Sequence, residues 1–149
     1  AGEYLKQALG DIGIQLELRY EDVPTWLKRV YHRYDFQMNV NYFYQLPDPV
    51  LGVHRHYGTD QIRKGTHFVN SSRYSNPKLD ALLDAGAGEP DAAKRTAAYK
   101  EIQQILADDM PVVNLFELEF LVVYNTKLKG AYGSAMGAYG SFREAYLDD

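Results

Sequence analysis

The sequence predicts an α/β fold in which a mostly parallel sheet is flanked by helices. Segments with helical periodicity come between segments in which apolar and polar residues alternate, and two later segments are almost continuously apolar. A helix that joins two strands forms a βαβ unit, whose strands are parallel and whose crossover is right-handed. The chain has 149 residues, about the length of one domain.

The first part of the chain predicts the order helix, strand, helix, strand. Residues 3–12 repeat apolar side chains at helical spacing, whereas residues 14–18 and 36–42 alternate apolar and polar side chains. Between the two strands, Asp22 or Thr25 is placed to cap the second helix. This order is the βαβ unit on which the fold prediction rests.

The second part predicts two further helices and two further strands. Asn76 and Pro77 are a typical helix start, and residues 84–89 indicate a break because they contain two glycines. Asp91 is placed to cap a longer helix that ends near Asp109. Two nearly continuous apolar segments then predict strands that are buried on both faces, 112–116 and 120–124.

Composition excludes several classes of function. Sixteen Lys and Arg face twenty Asp and Glu, a net charge of -4, whereas a general nucleic-acid binder carries a basic excess. No apolar run reaches the roughly 18 residues of a membrane span. The absence of cysteine excludes disulfides, thiolate metal sites and a cysteine nucleophile. No nucleotide fingerprint is present, so we expect no cofactor.

The ends of the sequence predict how it is organised. The chain starts at Ala1 with no initiator Met or signal peptide, so we expect it to be a piece of a longer protein. Residues 1–130 are predicted to form one lobe. Residues 131–149 include several glycines and are predicted to be loop or mobile.

Two pairs of side chains have alternative interpretations. His54 and His56 fit two metal ligands on one strand face, but without a third ligand the sequence favours two hydrogen-bonded histidines. Glu117 and Glu119 fit a catalytic carboxylate pair, but the same spacing is common in charged loops. We therefore predict no metal site and no catalytic residues.

The best candidate for ligand binding follows the second predicted strand. Asn41, Tyr42, Tyr44 and Gln45 lie at its carboxyl end, where ligands bind in open α/β sheets. Tyrosine offers an apolar face and a hydroxyl, and the amides donate and accept hydrogen bonds, which suits reversible binding of a small polar ligand. The alternative for the tyrosines is core packing under the loop at 58–74.

Several short motifs occur together, in order, over roughly residues 3–130: LGDIGI at 9–14, DFQMNVNY at 35–42, Asp48-Pro49, YSNPKLDALL at 74–83, RTAAY at 95–99, and IL at 105–106 with MPVV at 110–113. In these motifs the chain resembles the C-terminal lobe of the family 5 extracellular solute-binding proteins. These are the peptide-, nickel- and oligosaccharide-binding components of bacterial ABC importers.

The resemblance implies a periplasmic-binding-protein-like lobe and a function. Members have two lobes that close on a small-molecule or peptide ligand, are exported to the periplasm or anchored as lipoproteins, and deliver the ligand to an ABC permease. They bind and do not catalyse. Lobes of this fold also occur in transcription regulators, where they sense ligands, so that alternative stays open. A small hydrolase is a third alternative, which needs a cluster of titratable groups.

One position departs from the family. Peptide-binding members hold the ligand's ammonium with an Asp placed shortly before the acidic-Pro pair, where this chain has Tyr44 or Gln45. A buried ammonium without a counter-charge is strongly disfavoured, so the sequence predicts an uncharged ligand or one whose charge lies elsewhere. The predicted ligand-binding residues are Asn41, Tyr42, Tyr44, Gln45, Asp48 and Asn70.

Two consequences follow if the chain is one lobe of two. The isolated lobe makes only part of the ligand contacts, so we expect its own binding to be weak. An uncovered sheet edge or interlobe face favours self-association, and we expect a homodimer.

Overall fold

The structure, a computed structural model, describes residues 1–43, 45–118, 121–132 and 139–148. Its α-helices are α1 (Gly2–Gly10), α2 (Val23–Leu27), α3 (Val53–Tyr57), α4 (Pro77–Gly88) and α5 (Ala92–Asp109). A π-helical segment (Lys28–Arg33) continues α2, and 3-10 turns cover Pro49–Leu51 and Thr59–Gln61. The strands are β1 (Leu128–Lys129) and β2 (Tyr146–Leu147). The described chain is therefore rich in helix.

The predicted, mostly parallel sheet is wrong for the described residues. There, the strand pairing is that of β1 with β2, which is antiparallel and places Leu128 opposite Leu147. Residues 14–18, 36–42, 112–116 and 121–124 have no regular secondary structure. The alternation of apolar and polar residues shows which face of a segment prefers to be buried. A strand also needs a neighbouring strand as the partner for its backbone hydrogen bonds. No such neighbour lies beside these segments in the described part of the chain.

The helix starts agree better with the sequence prediction than the strands do, because a capping side chain contacts backbone groups only a few residues away. Asp22 caps α2 by accepting a hydrogen bond from the Thr25 N–H at 2.9 Å. Asn76 and Asp91 cap α4 and α5 by accepting hydrogen bonds from backbone N–H groups two and three residues further on. Met110 ends α5 in the left-handed conformation, with φ 42°. The predicted caps are confirmed.

Helices α4 and α5 form an antiparallel hairpin around one of the two cores. Leu79, Leu83 and Ile102 are buried at its centre, and α3 packs against it through Val53 and Tyr57. The predicted break at 84–89 is wrong, since α4 continues to Gly88. A Cβ on the buried Gly86 would lie 3.1 Å from the Tyr99 ring, so this glycine permits a close approach of the two helices.

A second core forms around the π-helical segment. Val30 and Tyr31 are buried against Val69, with Trp26 and Phe36 packed at the margin. The Trp26 and Tyr31 rings meet edge to face, with centroids 5.7 Å apart. This core fixes the start of the segment that carries the predicted ligand-binding residues.

The division into a lobe at 1–130 and a tail at 131–149 remains a prediction. Residues 133–138 of this tail are outside the described part of the chain, as is Glu119 of the acidic pair. In the part that is described, Ala131 is buried and β2 pairs with β1. Among the described helices, none combines the length and the apolar character that crossing a bilayer requires.

Candidate functional site

Gln45, a predicted ligand-binding residue, lies against a buried histidine. The side-chain nitrogen of Gln45 is 3.1 Å from Nδ1 of His56, which is only 3% exposed. The ring of Phe43 lies over that of His56, with centroids 3.8 Å apart. Phe43, Gln45 and His56 therefore form a cluster, called here the Gln45 cluster.

The local backbone explains how this cluster fits together. Helix α3 positions His56, and Gly52 precedes that helix as its N-cap. A Cβ on Gly52 would lie 2.1 Å from Oε1 of Gln45, so a larger residue there would force the end of the Gln45 side chain to move. The cluster thus depends on a small residue just before α3.

The Gln45 cluster is uncharged at neutral pH. Burial lowers the pKa of His56 to about 4, and the positive charge of Arg55 acts in the same direction. Nε2 of His56 has no hydrogen-bond partner within the described part of the chain. A neutral imidazole with one unoccupied nitrogen can accept or donate one more hydrogen bond, depending on its tautomer.

Asp48 has its charge balanced by Arg95. Its Oδ1 accepts hydrogen bonds from the Arg95 guanidinium at 2.8 Å and from the Val50 N–H at 2.9 Å. The Arg95 hydrogen bond, aided by that of Val50, lowers the pKa of Asp48. Arg95 also donates to the Gly86 carbonyl at 3.1 Å and lies over the Tyr99 ring. Asp48 therefore joins the Pro49–Leu51 turn to the helix hairpin.

Asn41 and Tyr42 lie between the second core and solvent. The Asn41 amide donates to the Tyr31 hydroxyl at 3.0 Å, and its oxygen accepts from the Tyr42 N–H at 2.8 Å. The Tyr42 residue is 54% exposed, so its ring is accessible to a ligand. Tyr44, also predicted to bind ligand, lies outside the described residues.

Asn70 is the most enclosed of the predicted site residues. It is 1% exposed, and its side-chain nitrogen lies within hydrogen-bond distance of the carbonyls of Tyr57, Gly58 and Tyr74, at 3.4, 3.1 and 2.9 Å. Its oxygen accepts from the Ser72 hydroxyl at 2.9 Å. Asn70 thereby fixes the loop at 58–74.

The two histidines weighed as metal ligands do not converge. They lie on helix α3, where residues two apart point to different sides. Nε2 of His54 is 3.4 Å from the Tyr99 hydroxyl, whereas His56 contacts Gln45. Among the described residues, no three His, Cys, Asp or Glu side chains cluster as metal ligands.

A surface depression of about 480 Å³ lies next to Asp48. Its lining comes from the Pro49 turn and one side of α5, namely Pro49, Ala92, Arg95, Thr96, Tyr99, Lys100 and Gln103. A depression of this kind offers one wall to a ligand. Pockets that bind small molecules tightly enclose most of the ligand surface.

The sequence did not predict His56 and Arg95 as contacts of Gln45 and Asp48. His56 is eleven residues from Gln45, and Arg95 is 47 residues from Asp48. Neither separation belongs to a local motif, so no pattern in the sequence predicted these contacts. The one local signal is Gly52, just before the histidine pair, because glycine allows another part of the chain to approach the backbone closely.

Parts of the chain are similar in sequence to known periplasmic binding proteins. No model of a known protein family matches the chain. The probable D,D-dipeptide-binding periplasmic protein DdpA of Escherichia coli (strain K12) is 28% identical over 126 residues, which are 84% of this chain and 24% of DdpA. The probable ABC transporter periplasmic-binding protein SapA of the same organism is 31% identical over 80 residues, 54% of this chain and 14% of SapA.

A third relative is Protein XP55 of Streptomyces lividans. It is 38% identical over 66 residues, which cover 44% of this chain and 12% of that protein. The chain thus spans about a quarter or less of the length of each of these relatives. Two of the three are periplasmic binding proteins by name.

Proposed function

We propose that this chain forms part of the ligand-binding lobe of a solute-binding protein that serves an ABC importer. The observation that carries the proposal is the similarity to DdpA along 84% of the chain, to which the shorter match with SapA adds. In this proposal the protein acts in the periplasm, or outside the cell as a lipoprotein. It binds a small polar ligand, presents it to a membrane permease and catalyses no reaction.

The proposed ligand-binding surface lies around the Gln45 cluster. Tyr42 contributes an accessible ring, and Gln45 and His56 contribute neutral polar atoms. The other proposed contacts are Asn41, Tyr44 and Asp48. Asn70 is buried, and its proposed contribution to binding is to hold the loop at 58–74. A second lobe supplies the opposite wall, so the ligand binds the closed state better and shifts the population towards it.

Charge in this surface favours an uncharged ligand group. Gln45 and His56 are neutral, and the carboxylate of Asp48 is already paired with Arg95. An ammonium placed against Gln45 would lose its hydration without gaining a counter-charge. We therefore propose a sugar derivative, or a peptide whose charged end lies elsewhere.

Calorimetry on the full-length protein tests this proposal with a matched pair of ligands. Alanyl-alanine and its N-acetylated form differ at the ammonium, and a neutral disaccharide serves as the third probe. We expect the acetylated peptide or the sugar to bind at least as tightly as the free dipeptide. Tenfold tighter binding of the free dipeptide would contradict an uncharged site.

Substitution of Gln45 gives a sharper form of the same test. Gln45→Glu keeps the shape of the side chain and adds the missing negative charge. We expect it to improve the affinity for the free dipeptide, relative to the acetylated one, by about tenfold, or about 1.4 kcal/mol. The exposed Gln37→Glu adds the same charge outside the proposed surface and is expected to leave that ratio unchanged.

A further inference from the structure

Two histidines far apart in sequence meet at the surface, away from the Gln45 cluster. Nε2 of His32, in the last turn of the π-helical segment, is 3.0 Å from Nε2 of His67 in the loop at 58–74. Both side chains are exposed. Their ring centroids are 5.2 Å apart, and the ring planes are tilted by 54°.

The two rings are held in place by the fold. The Gly65 N–H donates to the Tyr31 carbonyl at 2.8 Å, which joins the loop of His67 to the segment of His32. Gly65 has a φ of 88°, and a Cβ built on it would lie 3.7 Å from the His32 ring. The His67 ring packs near that of the buried Tyr31, with centroids 5.8 Å apart. The pair therefore forms on a fixed backbone.

The spacing of the rings matches that of two imidazoles on one metal ion. Zinc bonds to histidine nitrogen at about 2.0–2.1 Å, so two nitrogens at the tetrahedral angle lie about 3.3 Å apart and their ring centres about 5.2 Å apart. The observed separations are 3.0 Å and 5.2 Å. A rotation of the rings that moves the nitrogens by a few tenths of an ångström thus completes a chelate.

We propose that His32 and His67 form a two-histidine binding site for a divalent transition-metal ion such as zinc or nickel. Both Nε2 atoms then bind the ion, and the proton that one ring donates to the other moves to Nδ1 of its own ring. Among the described residues, no third His, Cys, Asp or Glu completes a cluster, so this site has fewer protein ligands than the three or four of structural and catalytic zinc sites, and water fills the other positions.

The surroundings select the kind of cation. Imidazole nitrogen suits zinc, nickel and copper, whereas magnesium and calcium require carboxylate or carbonyl oxygen. The neighbours in sequence include Arg33 and Lys64, which disfavour a cation held by charge alone. The site therefore takes a metal that forms directed bonds to nitrogen, and magnesium is the control ion.

Calorimetric titration of the 149-residue chain with zinc chloride at neutral pH tests the site. The chain has four histidines, so two lie at the site and two serve as controls. We expect one zinc ion per chain, at least tenfold weaker binding in both His32→Gln and His67→Gln, and binding within twofold of the original in His54→Gln. Zinc binding that is absent, or that persists unchanged in the first two variants, overturns the site.

Nitrogen-15 NMR of the unsubstituted chain tests the same site without any variant, so its result does not depend on whether a variant folds. Zinc is expected to shift the Nε2 signals of His32 and His67 and to leave those of His54 and His56 in place. Magnesium is expected to shift none of the four. Shifts confined to His54 and His56, or no shifts with zinc, contradict the proposal.

Discussion

A single side chain, Asn70, satisfies several backbone groups of the loop at 58–74. Its amide lies within 3.4 Å of three carbonyls and is almost completely buried. Asn70→Ala removes this donor, although the Gly58 carbonyl keeps the Gln61 N–H as a partner. An unsatisfied buried polar group costs about 1–3 kcal/mol. We expect urea denaturation to show a loss of stability in that range.

The control for this prediction is an asparagine outside any such network. Asn114 is exposed, and Asn114→Ala is expected to change the free energy of unfolding by less than about 0.5 kcal/mol. Equal effects of the two substitutions would show that the Asn70 hydrogen bonds do not stabilise the loop.

The buried His56 predicts a dependence of stability on pH. Its folded-state pKa is about 4, below the ordinary value of 6.5, so acid protonates the unfolded chain first. The neutral His56 ring makes its full contribution to the free energy of unfolding above about pH 6.5, and this contribution is lost as pH falls towards 4. We expect a loss of about 2 kcal/mol between about pH 7.5 and about pH 5, measured by urea denaturation.

A variant at the same position separates His56 from other titrating groups. His56→Asn retains a nitrogen near the place of Nδ1 but does not titrate. Most carboxylates remain ionised down to about pH 5, but burial also lowers the pKa of His54. The variant should therefore lose the part of the pH dependence that His56 contributes and keep the part that His54 contributes. A variant that keeps the full dependence would assign the effect to other residues.

Residue by residue, the sequence predicted candidate ligand-binding side chains, which stay a prediction, but not what they contact within the chain. Gln45 and Asp48 are predicted to bind ligand, and in the structure both contact side chains of other elements. Their partners, His56 and Arg95, come from α3 and α5. A contact between distant segments depends on how the helices pack, and that packing leaves no periodic signal in the sequence.

At the scale of elements, the start of α4 is joined to the end of α5. Asn76 accepts hydrogen bonds from the backbone of α4 and donates to the Asp109 carboxylate at 3.0 Å. Tyr74 also donates to this carboxylate. These hydrogen bonds lower the pKa of Asp109, the one from Tyr74 most strongly. The cap of α4 is therefore also a contact between helices.

Two caps in this hairpin provide a matched comparison. Asp91 caps α5, and Asp91→Ala is expected to cost about 1 kcal/mol, as usual for the loss of an N-cap. Asn76→Ala removes a cap and the link to Asp109, so its effect should be larger. Thermal denaturation of the two variants measures the difference, and a smaller effect of Asn76→Ala would contradict the role of the link.

Helices were predictable from this sequence and strands were not, for a physical reason. The starts of α4 and α5 follow from Asn76 and Asp91, whose cap hydrogen bonds lie within a few residues. A strand at 36–42 or 112–116 needs a partner from elsewhere in the chain. The predicted break at 84–89 is a second kind of failure, because Gly86 is helical despite the low helix propensity of glycine, at a position where a Cβ would lie close to the Tyr99 ring.

At the scale of the whole molecule, many large apolar side chains remain exposed. Leu121 and Val123 are 91% and 97% exposed, and Phe116 and Val113 exceed 60%. Exposed apolar surface of this extent favours association. We propose that the isolated chain pairs with itself through this region, and light scattering should show a mass that rises with concentration.

Charged substitutions test which surface is involved. Leu121→Lys and Val123→Lys together should move the chain towards the monomer. Gln104→Lys adds charge to the exposed side of α5 and serves as the control. A monomer at every concentration, or association unaffected by the double substitution, would contradict this proposal.

We propose that the chain belongs to a protein that binds a small polar solute. Native mass spectrometry tests it most directly, on the full-length protein purified from its own host without unfolding. We predict a mass excess from one small polar molecule, which is released on denaturation and binds again at one per protein. A protein that carries no such molecule, and that no sugar or peptide from a solute panel stabilises against heat, would contradict the account.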